Sequence, residues 1–201
     1  SLDVTVSGKW WNGSDIGQLK NLKHLSVDIY DDIDDDRFEG KDKFGDFFRY
    51  LNGNVVPHKK LETFLIKCAL WGEGKQNENL VLSFFEGCFE TLRKVHFEFN
   101  CDWENPEKAK WFYEGLTKLT NLRSLSLFLD VAYCQSYKKI EKLWKIISEL
   151  KSLEELDMKI LKNESQEKVL NLKFPPRLTK LSTGWNTSKA PFDVSKAICP
   201  L

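Results

Sequence analysis

The sequence lacks the marks of several large functional classes. Its 30 basic and 30 acidic residues cancel, so the chain does not carry the broad positive field expected of a protein that binds nucleic acid or an anionic membrane. No uninterrupted apolar run approaches the roughly 20 residues of a membrane-spanning helix, and the first residues lack the charged-then-apolar layout of a signal peptide. We therefore expect no nucleic-acid partner, no membrane partner and a cytoplasmic location.

The five cysteines are too few and too scattered to hold a small fold together. They are odd in number and contain no C-x-x-C pair, which fits neither a disulfide framework nor a zinc ribbon. Reduced thiols in an intracellular protein are the favoured interpretation. Three N-glycosylation sequons, at Asn12, Asn163 and Asn186, point instead to the secretory route, but a three-residue motif carries little weight. The cysteines are Cys68, Cys88, Cys101, Cys134 and Cys199.

Residues that would carry catalysis are also scarce. His24, His58 and His96 are the only histidines, and the two that fall on predicted strands are separated by a third strand, about 10 Å apart at a strand spacing of ~4.8 Å. Neighbouring acids such as Glu154 and Glu155 point to opposite faces of a strand, so they cannot act on one substrate atom. The chain has no nucleophile elbow and no phosphate-binding glycine loop. We expect no enzymatic activity, no metal, no cofactor and no small-molecule substrate.

The apolar residues are arranged in one short phrase that recurs along the chain. In LRSLSLFLD, residues 122–130, a three-residue step from Leu122 to Leu125 is followed by strict alternation, which predicts a short strand with one buried face. Phrases of this form open at residues 22, 61, 92, 122, 153 and 178, so the successive intervals are 39, 31, 30, 31 and 25 residues. Leu2, Val4 and Val6 read as the end of a further copy. A period of about thirty residues predicts stacked copies of one unit.

Helical spacing of apolar residues occurs between most of these strands. One such stretch has Pro106 in its first turn, where the missing N–H costs nothing. Trp111 and Trp144 fall on apolar helix stripes, and we assign both to the core rather than to a base-stacking surface. The predicted helices cover residues 41–51, 80–89, 106–119 and 137–150.

An acidic run, residues 31–36, follows the second predicted strand. It resembles a calcium-binding loop only superficially, because the sixth position from Asp32 is Arg37 instead of glycine and the twelfth is Lys43 instead of glutamate. We interpret the run as a solvated loop, and keep it open as an alternative binding site.

The phrase L-x-x-L-x-L, recurring with a helix in most intervals, resembles the leucine-rich repeat, in its ribonuclease-inhibitor-like or cysteine-containing subclasses. The position where that family places Asn or Cys holds Asn100 and Asn186 here, but Tyr30, Ala69, Asp130 and Leu161 in the other copies, so this chain would be a divergent member. The resemblance implies an α/β solenoid of six to seven repeats, with a curved parallel sheet on the concave side and helices on the convex side. We expect a single domain over residues 1–201, and interpret it as a fragment of a longer chain.

Alternation also predicts which side chains line the concave sheet. The first column contains Thr5, Ser26, Leu65, His96, Ser126, Asp157 and Ser182, and the second contains Ser7, Asp28, Lys67, Glu98, Phe128, Lys159 and Gly184. Two apolar side chains, Leu65 and Phe128, stand at exposed positions within a mixed-charge rim, which is typical of a protein-binding surface. The predicted protein-binding residues are Leu65, Lys67, His96, Glu98, Phe128, Asp157 and Lys159.

These features predict a non-catalytic interaction module or scaffold that binds a protein partner through the concave face. One form of this hypothesis is the substrate-recognition part of an F-box-type ubiquitin ligase adaptor, which would need residues upstream of Ser1. A second hypothesis is a structural subunit of a large assembly, with both faces partly buried. An inert, solvated concave face, or one covered by another part of a longer chain, is the plain alternative to both.

Overall fold

The protein is built around one parallel β-sheet. The computed structural model describes residues 2–7, 21–30, 60–70, 83–101, 110–130, 137–161 and 173–185. Within them, seven strands lie side by side in chain order and every neighbouring pair is parallel, which confirms the predicted α/β class. The strands are β1 Leu2–Ser7, β2 His24–Tyr30, β3 Thr63–Leu70, β4 Lys94–Cys101, β5 Ser124–Asp130, β6 Glu155–Leu161 and β7 Lys180–Trp185.

Successive strands begin with the same backbone hydrogen bonds. The carbonyl of Arg93 accepts N–H groups from Arg123 at 2.8 Å and Ser124 at 2.9 Å. Corresponding pairs of bonds end on one carbonyl at each of the five junctions from β2 to β7, so the main chain itself fixes how each strand starts against the previous one. The accepting residues, each directly after an opening leucine, are Lys23, Glu62, Arg93, Arg123 and Glu154.

The described helices lie between strands, where the sequence has apolar residues at helical spacing. They comprise residues 83–88 (α1), Lys110–Lys118 (α2) and Tyr137–Ser148 (α3). All three fall within stretches predicted to be helical. The predicted helix at 41–51, the acidic run at 31–36, His58 and Pro106 lie outside the described residues.

The opening leucines and the inward residues of the strands form the core. From β2 to β6 each opening leucine is at most 7% exposed. On β5 the inward Leu125 and Leu127 are each 1% exposed, while Ser126 between them is only half-buried. The burial pattern therefore follows the predicted alternation. One face of the sheet is covered by the helices, and the side chains of the other face, which we call the open face, are partly exposed.

Aromatic rings bridge the sheet and the helices. Phe97 on β4 packs against Phe85 of α1 and Phe112 of α2, with ring centroids 5.8 and 5.3 Å away. Gly115 on α2 faces Phe85 so closely that a Cβ at that position would lie 3.0 Å from the Phe85 Cδ2 atom. Trp144 is buried on α3 and meets Phe174 with centroids 5.7 Å apart, as predicted for a core tryptophan. The side chain of Trp111 lies outside the described set.

The buried thiol of Cys88 is a free cysteine, and its burial raises its pKa above the ordinary range. Its Sγ atom lies 3.3 Å from the carbonyl oxygen of Phe84, to which the protonated thiol donates. This residue behaves as a small apolar core side chain.

No helix within the described ranges is long and apolar enough to cross a bilayer.

The predicted alignment of the first strand is wrong by two residues. Asp3, not Thr5, lies beside Ser26, and Thr5, not Ser7, lies beside Asp28. The first strand has no opening leucine of its own in the sequence, and alternation alone is unchanged by a shift of two residues. The predicted columns agree with the register at every strand from β2 to β7.

Candidate functional site: the open face of the sheet

The seven predicted binding residues lie together on the sheet face opposite the helices. We call this set the central patch: Leu65, Lys67, His96, Glu98, Phe128, Asp157 and Lys159. Register puts Leu65 beside His96 and Glu98 beside Phe128. Because adjacent parallel strands are about 4.8 Å apart, residues from β3 to β6 form one continuous surface.

Two apolar side chains interrupt the otherwise polar first and second columns between β2 and β6. Leu65 on β3 and Phe128 on β5 are half-buried, whereas the inward Phe64 and Ile66 are at most 1% exposed. The helix-facing side of the sheet already buries its apolar residues, so the partial exposure of Leu65 and Phe128 is a property of the open face. Removal of apolar side chains of this size from water lowers the free energy, so a partner that covers them forms a more stable complex.

His96 stands between these two apolar side chains; its Nδ1 atom has a hydrogen-bond partner, whereas its Nε2 atom is buried without one among the described residues. Its Nδ1 atom lies 2.9 Å from the hydroxyl of Ser126, and its Nε2 atom lies 3.7 Å from the Glu98 carboxylate. A bare Nε2 lone pair facing a carboxylate would be repelled, so we assign the proton to Nε2, with the Ser126 hydroxyl donating to Nδ1. The Glu98 carboxylate also pairs with Lys67 at 3.2 Å.

The pKa of His96 is lowered, chiefly because burial disfavours the charged ring. Glu98 opposes this shift and Asp157 opposes it more weakly, while the positive charge of Lys67 lowers the pKa further. The 3.7 Å separation is too long for a hydrogen bond, so we treat Glu98 as acting on His96 through its charge. The neutral imidazole is therefore the favoured form near neutral pH.

Glu98, His96 and Ser126 stand in the order acid, imidazole and hydroxyl, which is also the order of a nucleophile-activating site. Such a site needs N–H donors aimed at a developing oxyanion. Ser126 lies in the middle of β5, between β4 and β6, where parallel pairing already occupies the backbone N–H groups. What this arrangement provides is a set of oriented polar groups around an apolar centre.

Two aspartates on the open face have an oxygen without a hydrogen-bond partner. The Oδ1 atoms of Asp28 and Asp157 are buried and unpaired among the described residues, although each residue is only half-buried as a whole. Asp157 lies between Ser126 and Ser182 in the register, whereas Asp28 lies beside Lys67. The two carboxylates therefore differ in whether a neighbouring strand supplies a cation.

The open face also contains a third column that the sequence reasoning missed. Its polar side chains are partly tied to one another: Ser124 donates to Glu155 at 3.2 Å, and Lys180 lies 3.9 Å from the same carboxylate. Extending the predicted alternation by two residues toward the start of each strand predicts this third column. The column contains His24, Thr63, Lys94, Ser124, Glu155 and Lys180.

His24 and His96 lie on strands separated by β3, as predicted, and also in different columns. Over the part of the chain that the structure describes, no three His, Cys, Asp or Glu residues are placed to hold a metal ion. No protein-family model matches the chain, and no curated protein matches it either.

Proposed function

We propose that this chain is a divergent leucine-rich-repeat module that binds a protein partner through the open, concave face of its sheet. The observation that carries the proposal is the partial exposure of Leu65 and Phe128 among the polar side chains of the first and second columns. Six similar strand entries, with a leucine before each and the same backbone bonds between them, support the repeat architecture.

The composition of the central patch supports a protein partner. An apolar centre with a polar, charged rim is the usual anatomy of a specific protein interface. Lys67 and Glu98 neutralise one another at 3.2 Å, and the imidazole of His96 is held mainly neutral. Since these groups present little net charge, a highly charged polyanion is a poor fit for the centre of the face.

The proposed role is recognition without catalysis. The polar groups around Ser126 are held in a parallel sheet whose backbone donors are already paired. Binding through side chains of a regular sheet also requires no movement of the backbone.

Site-specific photo-crosslinking from the native source tests the proposal. A photoreactive amino acid replaces Lys159 at the patch rim or, as the matched control, the exposed Lys145 on α3. A protein captured from position 159 and not from 145 is then purified, and its Kd is measured against the unmodified chain. We expect Phe128→Ala to weaken that complex by more than roughly tenfold, and circular dichroism verifies that the variant is folded at the temperature of the binding measurement, because part of the ring is buried.

Two results would contradict this function. Capture from position 145 alone would put the partner on the helical side. Normal binding by Phe128→Ala, together with loss of binding when the acids of residues 31–36 are neutralised, would move the site to the acidic run.

A further inference from the structure

We propose that the docked partner presents an arginine side chain that lies over Phe128 and binds the carboxylate of Asp157. This inference rests on the proposed docking function and adds the chemistry of the anchoring contact.

Among the residues that the structure describes, none pairs a cation with Asp157, one of the two carboxylates of the central patch. Its neighbours in register are the uncharged Ser126 and Ser182. Lys159 follows two residues later on the same face, but it forms no ion pair with Asp157 within the described residues. The other patch carboxylate, Glu98, is already paired with Lys67.

Partial burial makes Asp157 a better anchor than a fully hydrated carboxylate. One of its oxygens is buried without a donor while the residue remains half-buried, so folding has already removed part of its hydration. An incoming cation then displaces less water than it would at a solvated acid, and acts in a medium of lower effective dielectric.

The groups around Asp157 can accept hydrogen bonds, so they favour a ligand that donates them. With its proton directed to His96, the Ser126 hydroxyl keeps lone pairs on the open face. Ser126 lies directly beside Asp157, so a planar group with several N–H donors can bond to both at once. The guanidinium of arginine has five such donors in a fixed fork.

Phe128 supplies the support for the arginine stem. It lies on the same strand and face as Ser126 and in register with Lys159. From a strand spacing of ~4.8 Å and a rise of ~3.3 Å per residue, its Cα is roughly 8 Å from that of Asp157. An arginine stem spans that distance, and its guanidinium stacks on aromatic rings more readily than an ammonium does.

The test uses random heptapeptides displayed and selected against the immobilised full chain. Selected peptides are synthesised with arginine and with citrulline, the neutral isostere, and their Kd values are measured by fluorescence anisotropy. We expect an arginine in the selected sequences, and a loss of roughly tenfold on replacement by citrulline. Asp157→Asn should remove that difference. The matched control, Asp28→Asn, removes another half-buried carboxylate outside the central patch and should preserve it.

The outcomes separate this inference from the docking function. Peptides that bind without arginine, or whose citrulline effect survives Asp157→Asn, overturn the arginine anchor, while weakening by Phe128→Ala would still support docking on the face. Peptides whose binding is unaffected by both Phe128→Ala and Asp157→Asn count against both proposals. Circular dichroism and the melting temperature of each variant verify that the fold is retained.

Discussion

Replacing Gly115 by alanine tests the packing that supports the sheet from behind. A methyl group there would lie 3.0 Å from Cδ2 and 3.4 Å from Cε2 of Phe85. The Phe85 ring is 1% exposed and meets the rings of Phe64, Phe84 and Phe97 with centroids 5.7–6.2 Å away. Because three rings hold Phe85 in place, the new methyl group has to push the two helices apart or strain the ring.

The expected change in the free energy of unfolding is the difference between two opposing effects. Alanine improves helix propensity over glycine by about 1 kcal/mol, whereas overpacking a filled core costs about 1 to 3 kcal/mol. We therefore expect Gly115→Ala to lower the free energy of unfolding by about 1 kcal/mol. For a domain of this size, that corresponds to a fall in Tm of about 2 to 4 °C.

Urea unfolding followed by circular dichroism provides the measurement, with a double-mutant cycle as the decisive step. Thr117→Ala, at an exposed position of the same helix, is the control and should be close to neutral. In a Phe85→Leu background the methyl group has room, so Gly115→Ala should become neutral or stabilising. A Gly115→Ala variant that is more stable than wild type, with no coupling to Phe85→Leu, would refute the steric argument.

Two further predictions concern the strands. Leu127→Ala should cost about 2 to 5 kcal/mol because the side chain is fully buried, and Ser126→Ala only about 1 kcal/mol, for the lost hydrogen bond to His96; equal, small losses in urea melts would mean that the inward and outward faces are misassigned. His96 resists protonation when folded, so the unfolded state binds more protons as the pH falls below about 6.5, and stability should decrease with falling pH in that window. His96→Gln should flatten this part of the stability–pH curve, and an unchanged curve would contradict the burial argument.

The central columns were predictable because they depend only on alternation within each strand and on equivalence between strands. In β2 to β7 the leucine that opens each phrase determines both the alternation within the strand and its alignment with the next strand. Leu65 therefore lies beside His96, and Ser126 beside Asp157, as expected. The first strand shows what happens without that leucine. Its alternation agrees with the prediction, but the predicted alignment differs from the observed register by two residues.

Side-chain contacts between elements could not be predicted in the same way. The sequence puts His96 and Ser126 in one column, but their hydrogen bond depends on the rotamer of each side chain. The close approach of Gly115 to Phe85 depends on the distance between two helices, which apolar spacing does not determine. The oxygen of Asp157 that has no partner among the described residues is defined by an absence of contacts, and a sequence pattern carries no signal for it.

The backbone bonds at the strand entries have a consequence for how this surface can change. The carbonyls of Lys23, Glu62, Arg93, Arg123 and Glu154 hold the next strand whatever side chain they carry. Substitutions on the open face should therefore leave the backbone arrangement of the sheet unchanged, provided that the inward leucines are retained. A directed-evolution library could randomise positions 65, 96, 126 and 157 together and explore new binding specificities on an unchanged framework.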